Sequence, residues 1–241
     1  PFIDEAQHDP EDDDDENEPK GVLAAPAASV LMKVLYAARL ARFDLLRAIT
    51  SLASKLTKWT RKCDKQLERL MSYINASSST MKMEGYIGDD VKDLRLQVYA
   101  DADFASDLST RKSTSGLFPA LAGPHSFFPL AAVSKKQSAV SHSTPEAEIV
   151  AADTAIRTLG IPAMDLWDVV FDRQVPVDFL EDNESTIAVI KSGKNPTMRH
   201  LQRTHDVSVK WLSDTFKSQL RHKRSIRRHI HQSLQRSRNV E

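Results

Sequence analysis

The sequence predicts an α/β domain preceded by a helical segment. Residues 94–99 alternate apolar and polar side chains, the period-2 mark of a half-buried strand. Two more strand-like runs follow at 115–121 and 127–133, and strand and helix patterns then take turns as far as 216. Ahead of them, residues 28–56 hold no glycine or proline and many strong helix formers.

The chain has 241 residues, 41% of them hydrophobic, which suits one or two packed domains. Residues 1–25 form a low-complexity acidic leader centred on Asp12-Asp13-Asp14-Asp15, a composition that predicts disorder. Over 26–78 the reading is all-helical. Leu31, Val34, Leu35 and Ala38 fall at helical spacing, and Asp64 is placed to cap a further helix carrying Leu67, Leu70, Met71 and Ile74. Residues 79–93 are polar and contain Gly85 and Gly88, so they read as a linker.

The α/β domain is assigned to 94–216. Leu94, Leu96 and Val98 make the apolar face of its first strand, and Gly123-Pro124 marks the turn between the second and third. A helix is expected from Glu146 to about Val170, interrupted near Gly160 and Pro162. Residues 175–180 read as a buried strand and 185–192 as a helix stopped by Gly193. Residues 204–216 read as a final helix, and no fifth strand is visible between Gly193 and His200.

Net charge is zero, but the charge is not evenly spread. Residues 1–20 hold ten acidic residues and one lysine; residues 217–241 hold eight Lys/Arg and one glutamate. In that basic tail Leu220, Ile226, Ile230 and Leu234 approach helical spacing, so it reads as an amphipathic helix able to bind phosphates without sequence preference. The only cysteine, Cys63, excludes an intrachain disulfide and points to an intracellular protein. No run reaches the ~18 apolar residues of a membrane span, and the acidic start lacks the basic-then-apolar order of a signal peptide.

Four acidic residues stand in four short motifs: Asp101, Glu146, Asp182 and Asp206. Asp101 ends the first strand, with Asp103 a rival on the same side. Glu146 opens a helix after Pro145 with Thr144 as the expected N-cap, and Glu148 competes with it. Asp182 follows a strand and precedes a helix that it could also cap. Asp206 adjoins His205 and opens the final helix. Carboxylates at the ends of different elements can converge, and converging hard oxygens suit Mg²⁺.

Five stretches occur in one order: Tyr99-Ala100-Asp101-Ala102-Asp103-Phe104, Arg111-Lys112-Ser113-Thr114-Ser115-Gly116, Ser134-Lys135-Lys136-Gln137, Ser143-Thr144-Pro145-Glu146-Ala147-Glu148 and Glu181-Asp182-Asn183-Glu184-Ser185-Thr186-Ile187-Ala188. Together they resemble the RNase H domain of copia-type retrotransposon Pol polyproteins. Residues 30–38 and 66–74 resemble the stretch that joins the reverse-transcriptase thumb to that domain, with Ala41-Arg42-Phe43-Asp44 where relatives carry a Thr-Arg-Pro-Asp-like turn. The polymerase Tyr-x-Asp-Asp motif is absent, so no polymerase activity is expected of this chain.

The resemblance implies an RNase H-like mixed sheet flanked by helices, three antiparallel strands first and parallel pairing next. It implies hydrolysis of the RNA strand of RNA–DNA hybrids with two Mg²⁺ ions, or Mn²⁺ in their place, held by Asp101, Glu146, Asp182 and Asp206. With Asp206 displaced, His205 or His200 could instead carry a proton near the leaving group. Arg111, Lys112, Ser113, Thr114, Lys135, Lys136, Gln137 and Asn183 are the implied nucleic-acid contacts. Two departures stand out: Pro145 is extra within the usual Ser-Thr-Glu-Ala-Glu, and His205 and Asp206 adjoin where relatives have a residue between them. The second, with the missing polymerase centre and the loss of the usual aromatic before Ser134, supports a competing reading, a decayed Pol remnant that at most binds nucleic acid. A third reading is an interaction protein that uses its two charged ends.

Overall fold

The computed structural model describes residues 19–107, 110–172, 177–218 and 220–224. The expected disorder of the leader therefore falls mostly outside the described residues, as does the tail beyond Arg224.

Helix α1 (Ala24–Leu40), α2 (Leu46–Ser54) and α3 (Arg61–Ser77) make the helical segment. The predicted unbroken run is interrupted after α1. Arg42 grips Asp44 with two hydrogen bonds of 2.9 and 3.0 Å, Tyr73 donates to the same carboxylate, and Phe43–Leu45 tightens into a 3₁₀ turn. Asp64 does not cap its own helix. Thr60 does so by accepting from the Cys63 N–H, while Asp64 accepts from the Val22 and Leu23 N–H groups (2.7 and 3.0 Å) and so ties the residues leading into α1 to α3. Leu31, Ile49, Leu52, Trp59, Leu67 and Leu70 close this core.

The sheet is built from β1 (Arg95–Asp103), β2 (Thr114–Gly123), β3 (Ser126–Pro129), β4 (Val133–Lys136), β5 (Val177–Glu181) and β6 (Leu220–Arg224). Its order is β3-β2-β1-β5-β6, with β4 also on β2. The β1–β2, β2–β3 and β2–β4 pairs are antiparallel, and β1–β5 and β5–β6 are parallel. This is a mixed sheet flanked by helices, with antiparallel pairs first and parallel ones next, as the resemblance implies.

Two strand readings change. The expected run 127–133 splits into β3 and β4, because the Leu130 N–H turns to the Pro119 carbonyl and the Ala132 N–H to the Arg39 carbonyl at the end of α1. Ala132 thereby enters the helical core, and Phe118 packs edge-on against Phe43, ring centroids 5.6 Å apart. The strand not visible between Gly193 and His200 comes later: it is β6, paired parallel to β5, at the start of the stretch read as a basic helical tail. Residues 79–93, expected as a linker, are fastened to the sheet: Tyr86 pairs with Phe127, and the Gly88 and Asp89 N–H groups donate to Ser126 Oγ.

Helix α4 (Thr144–Ala155) runs through a π-helical turn, Ile156–Gly160, into α5 (Ile161–Phe171). Helix α6 (Glu184–Ser192) stops at Gly193, whose φ of 69° suits a residue without Cβ. The predicted helix 204–216 begins later, as α8 (Val209–Ser218), after a short helix α7 (Leu201–Thr204). Asp206 breaks the run with a φ of 56°, and Ser208 Oγ accepts from the Trp211 N–H at the start of α8. The main core lies between sheet and helices: Leu96, Val98, Phe179, Ala151, Ile156 and Leu212 are its centre. Among the described residues no helix is long and apolar enough to cross a membrane.

Candidate metal centre

Strands β1 and β5 run parallel, so their C-terminal ends share one edge of the sheet. Their last registered pair is Tyr99 with Leu180. Two residues further on stand Asp101 in β1 and Asp182 after β5. Helix α4 packs across β1 and carries Glu148 to the same edge. Donor oxygens of Asp101, Glu148 and Asp182 all lie within 4.8 Å of one another. No other trio of His, Cys, Asp or Glu among the described residues meets that spacing.

The sequence reading named Glu146 in this place, and the structure puts Glu148 there. Successive helical residues are about 100° apart, so residues two apart point about 200° from each other. Glu148 turns toward β1 and Glu146 turns the other way, toward His200 and His205. The helix register is fixed by its cap. Ser143, not Thr144, is the N-cap, and its Oγ accepts from the Glu146 N–H. No apolar stripe betrays the register from sequence, because most of α4 is buried all round.

Asp182 is not spent as a helix cap. Asn183 takes that duty, accepting from the Thr186 N–H at 3.0 Å. Asp103 is paired with Arg47 of α2. Asp206 stays outside the trio. It is exposed on its left-handed turn and lies near Asp153, whose carboxyl is pushed up by burial, pulled back by Arg157 and raised again by Asp206. His205 is also apart from the trio; burial lowers its pKa and the Glu146 carboxylate opposes that shift.

A fourth carboxylate, Glu181, stands next to Asp182 in the same motif. It ends β5 at 1% exposure, and its Oε1 accepts from the Asn183 N–H at 3.0 Å. Burial first, then Asp182 and Asp101, push it up to about 8. Glu148 is pushed up to about 9 by burial first, then by Glu181, Asp101 and Asp182. Oε2 of each glutamate is buried without a hydrogen-bond partner. Buried acceptors left unsatisfied and like charges crowded together are costly without a cation. The donor set is all oxygen, which matches hard divalent cations rather than soft ones.

The expected nucleic-acid contacts divide. Arg111 and Lys135 are exposed and Lys112 is half-buried. Lys136 is exposed and pairs with Asp107. Thr114 shares a hydrogen bond with Ser106. Ser113 is buried and accepts from the Ala105 N–H, so it faces the protein. Gln137 is buried too. Its Nε2 donates to Ser115 Oγ and the Ala147 carbonyl, and its Oε1 accepts from Ser141. It ties β2 to α4, and no surface is left on it for a nucleic acid.

No family model matches the chain, and no curated protein matches it. Among solved structures it is similar to a foamy viral protease–reverse transcriptase in complex with RNA/DNA hybrid, with 16% identity, a TM-score of 0.47, and coverage of 85% of this chain and 25% of that one. It thus spans about a quarter of that protein's length. It is also similar to LC11-RNase H1, isolated from compost, with 14% identity, a TM-score of 0.39 and coverage of 58% and 91%. A foamy viral protease–reverse transcriptase in complex with dsDNA gives 16% identity, a TM-score of 0.28 and coverage of 62% and 92%. These likenesses are loose, and the geometry of the three carboxylates stands without them.

Proposed function

We propose that the chain is an RNase H-like nuclease of copia-type retrotransposon Pol origin, which hydrolyses the RNA strand of RNA–DNA hybrids inside the cell. One observation carries the reading: Asp101, Glu148 and Asp182, from three separate elements, bring their donor oxygens within 4.8 Å of one another. The proposed cofactor is a pair of Mg²⁺ ions, with Mn²⁺ able to substitute. Bound there, they would supply Lewis acidity toward the scissile phosphate and an activated water.

The protein's own part is to hold the charges still. The parallel pairing of β1 and β5 fixes Asp101 beside Asp182. Asn183 starts α6 and so leaves the Asp182 carboxylate facing the edge. Glu148 holds a proton near neutral pH without a cation and releases it when one binds, so cation affinity should fall as pH falls. Arg111, Lys112 and Lys135 are the proposed contacts to the hybrid's phosphates, while selection of RNA needs groups that read its 2′-hydroxyls. The basic residues after Lys217 are proposed to add sequence-independent affinity.

The remnant reading keeps one specific support: Asp206, the fourth expected ligand, is exposed and outside the trio. The deciding experiment is a labelled RNA–DNA hybrid incubated with the full chain and Mg²⁺, Mn²⁺ or chelator. RNA-strand cutting with either metal and none with chelator supports the nuclease. Binding without cutting under both metals supports the remnant.

A further inference from the structure

Glu146 lies on the face of α4 opposite Glu148, 2% exposed. Three histidines gather on it. Its Oε1 is 3.1 Å from His200 Nε2 and 3.6 Å from His205 Nε2, and its Oε2 accepts from the His142 N–H at 3.1 Å. The His142 ring stands edge-on to that of His200, centroids 5.5 Å apart. The His205 side chain is fully buried, and the groups that act on its ring, Glu146 Oε1 at 3.6 Å and the Val140 backbone, leave neither ring nitrogen with a hydrogen bond of good geometry.

A plain brace of hydrogen bonds leaves that last fact unexplained, because a buried imidazole held only by loose contacts is a costly filler. A cation would satisfy it. With metal–ligand bonds of about 2.0–2.2 Å, the edge of a tetrahedral zinc site is about 3.4 Å. The two edges that meet at Glu146 Oε1 are close to this. The edge between the imidazoles is the open one. His200 can close it, since its side chain is 37% exposed and sits at the start of the short α7. The Val140 backbone, which acts on the His205 ring, is the kind of outer acceptor that orients metal-bound histidines.

We propose that Glu146, His200 and His205, with His142 as the fourth ligand, form a second metal site for a borderline divalent ion of the Zn²⁺ type. Imidazole with one carboxylate suits that class, whereas the all-oxygen trio across the helix suits Mg²⁺. The second site joins the loop before α4 to both ends of α7 and touches no residue of the trio. It does not depend on the proposed nuclease activity.

The test uses the full chain, stripped with chelator and re-equilibrated in excess Mg²⁺. Zn²⁺ is titrated by calorimetry, and Co²⁺ is added as a visible-absorbing probe of four-coordinate geometry. One Zn²⁺ per chain is expected, with the same affinity in Asp101→Asn. Loss of an outer partner alone lowers zinc affinity about 10–100-fold, so His200→Ala and His205→Asn should each lower it by at least about 100-fold. If His205→Asn fails to fold by circular dichroism, His142→Ala takes its place beside His200→Ala. Zinc held by other histidines, His229 and His231 among them, would survive these changes. Undiminished binding in the histidine variants, binding lost in Asp101→Asn, or no uptake by the wild type overturns the proposal.

Discussion

Replacing Glu148 by glutamine should stabilise the metal-free protein. Glu148 is 3% exposed and faces Glu181, Asp101 and Asp182, and its pKa rises from an ordinary 4.5 to about 9. A raised carboxyl pKa means that the folded state keeps a proton which the unfolded chain has released. Stability is then greatest below pH 4.5 and declines as pH rises, until the folded group itself ionises near 9. At pH 7 the gap from 4.5 is about 2.5 pH units, worth roughly 1.4 kcal/mol each, or about 3 kcal/mol. Glutamine fills the same space without titrating. Urea denaturation with chelator should therefore show Glu148→Gln more stable than wild type by about 3 kcal/mol at pH 7, a gain that shrinks toward zero near pH 4.5. Adding Mg²⁺ should favour the wild type instead, because only it retains the full ligand set. A variant that is less stable at pH 7 without metal, or whose advantage does not change with pH, would refute the reasoning.

Asp101→Asn should abolish metal-dependent cutting of a hybrid and weaken Mg²⁺ binding in a calorimetric titration, since it removes one of three charged donors; unchanged affinity would detach Asp101 from the centre. Asn183→Ala should cost about 1 kcal/mol in urea denaturation through the lost cap on α6, and Asn183→Asp should restore most of it. Gln137→Leu should cost about 1–3 kcal/mol by leaving buried partners unsatisfied, with hybrid affinity of the folded protein unchanged; an affinity loss without a stability loss would return Gln137 to the nucleic-acid interface.

The sequence made the sheet legible wherever a single strand carried its own pattern. Leu96 and Val98 against Arg95 and Gln97 announced β1 because one face is buried and the other is not. Gly193 announced the end of α6 because its left-handed turn favours glycine. Failures came where the deciding contact is remote. Nothing local to 127–133 shows that the Ala132 N–H leaves the sheet for the Arg39 carbonyl. Likewise, β6 begins inside a strongly basic stretch, and its pairing with β5 is a backbone match that charge composition conceals. Asp64 looked like a cap for its own helix and proved to tie down the residues leading into α1, some forty residues away in sequence.

The candidate centre follows the same division. Asp101 and Asp182 could be named because strand ends fix their direction, and the parallel register of β1 and β5 then brings them together. The third ligand depended on helix phase, and α4 hides its phase by being buried on most sides. Burial of that kind has a consequence for chemistry. A helix embedded between two clusters can hold two acids two residues apart in unlike company: Glu148 among carboxylates, Glu146 among imidazoles. The first arrangement is repulsive until a cation arrives, and the second already offers the carboxylate partners. The stretch Pro145-Glu146-Ala147-Glu148 therefore joins an attractive cluster to a repulsive one through a single rigid turn. The contacts on Glu146 help hold the α4 register that keeps Glu148 beside Asp101 and Asp182 against their mutual repulsion.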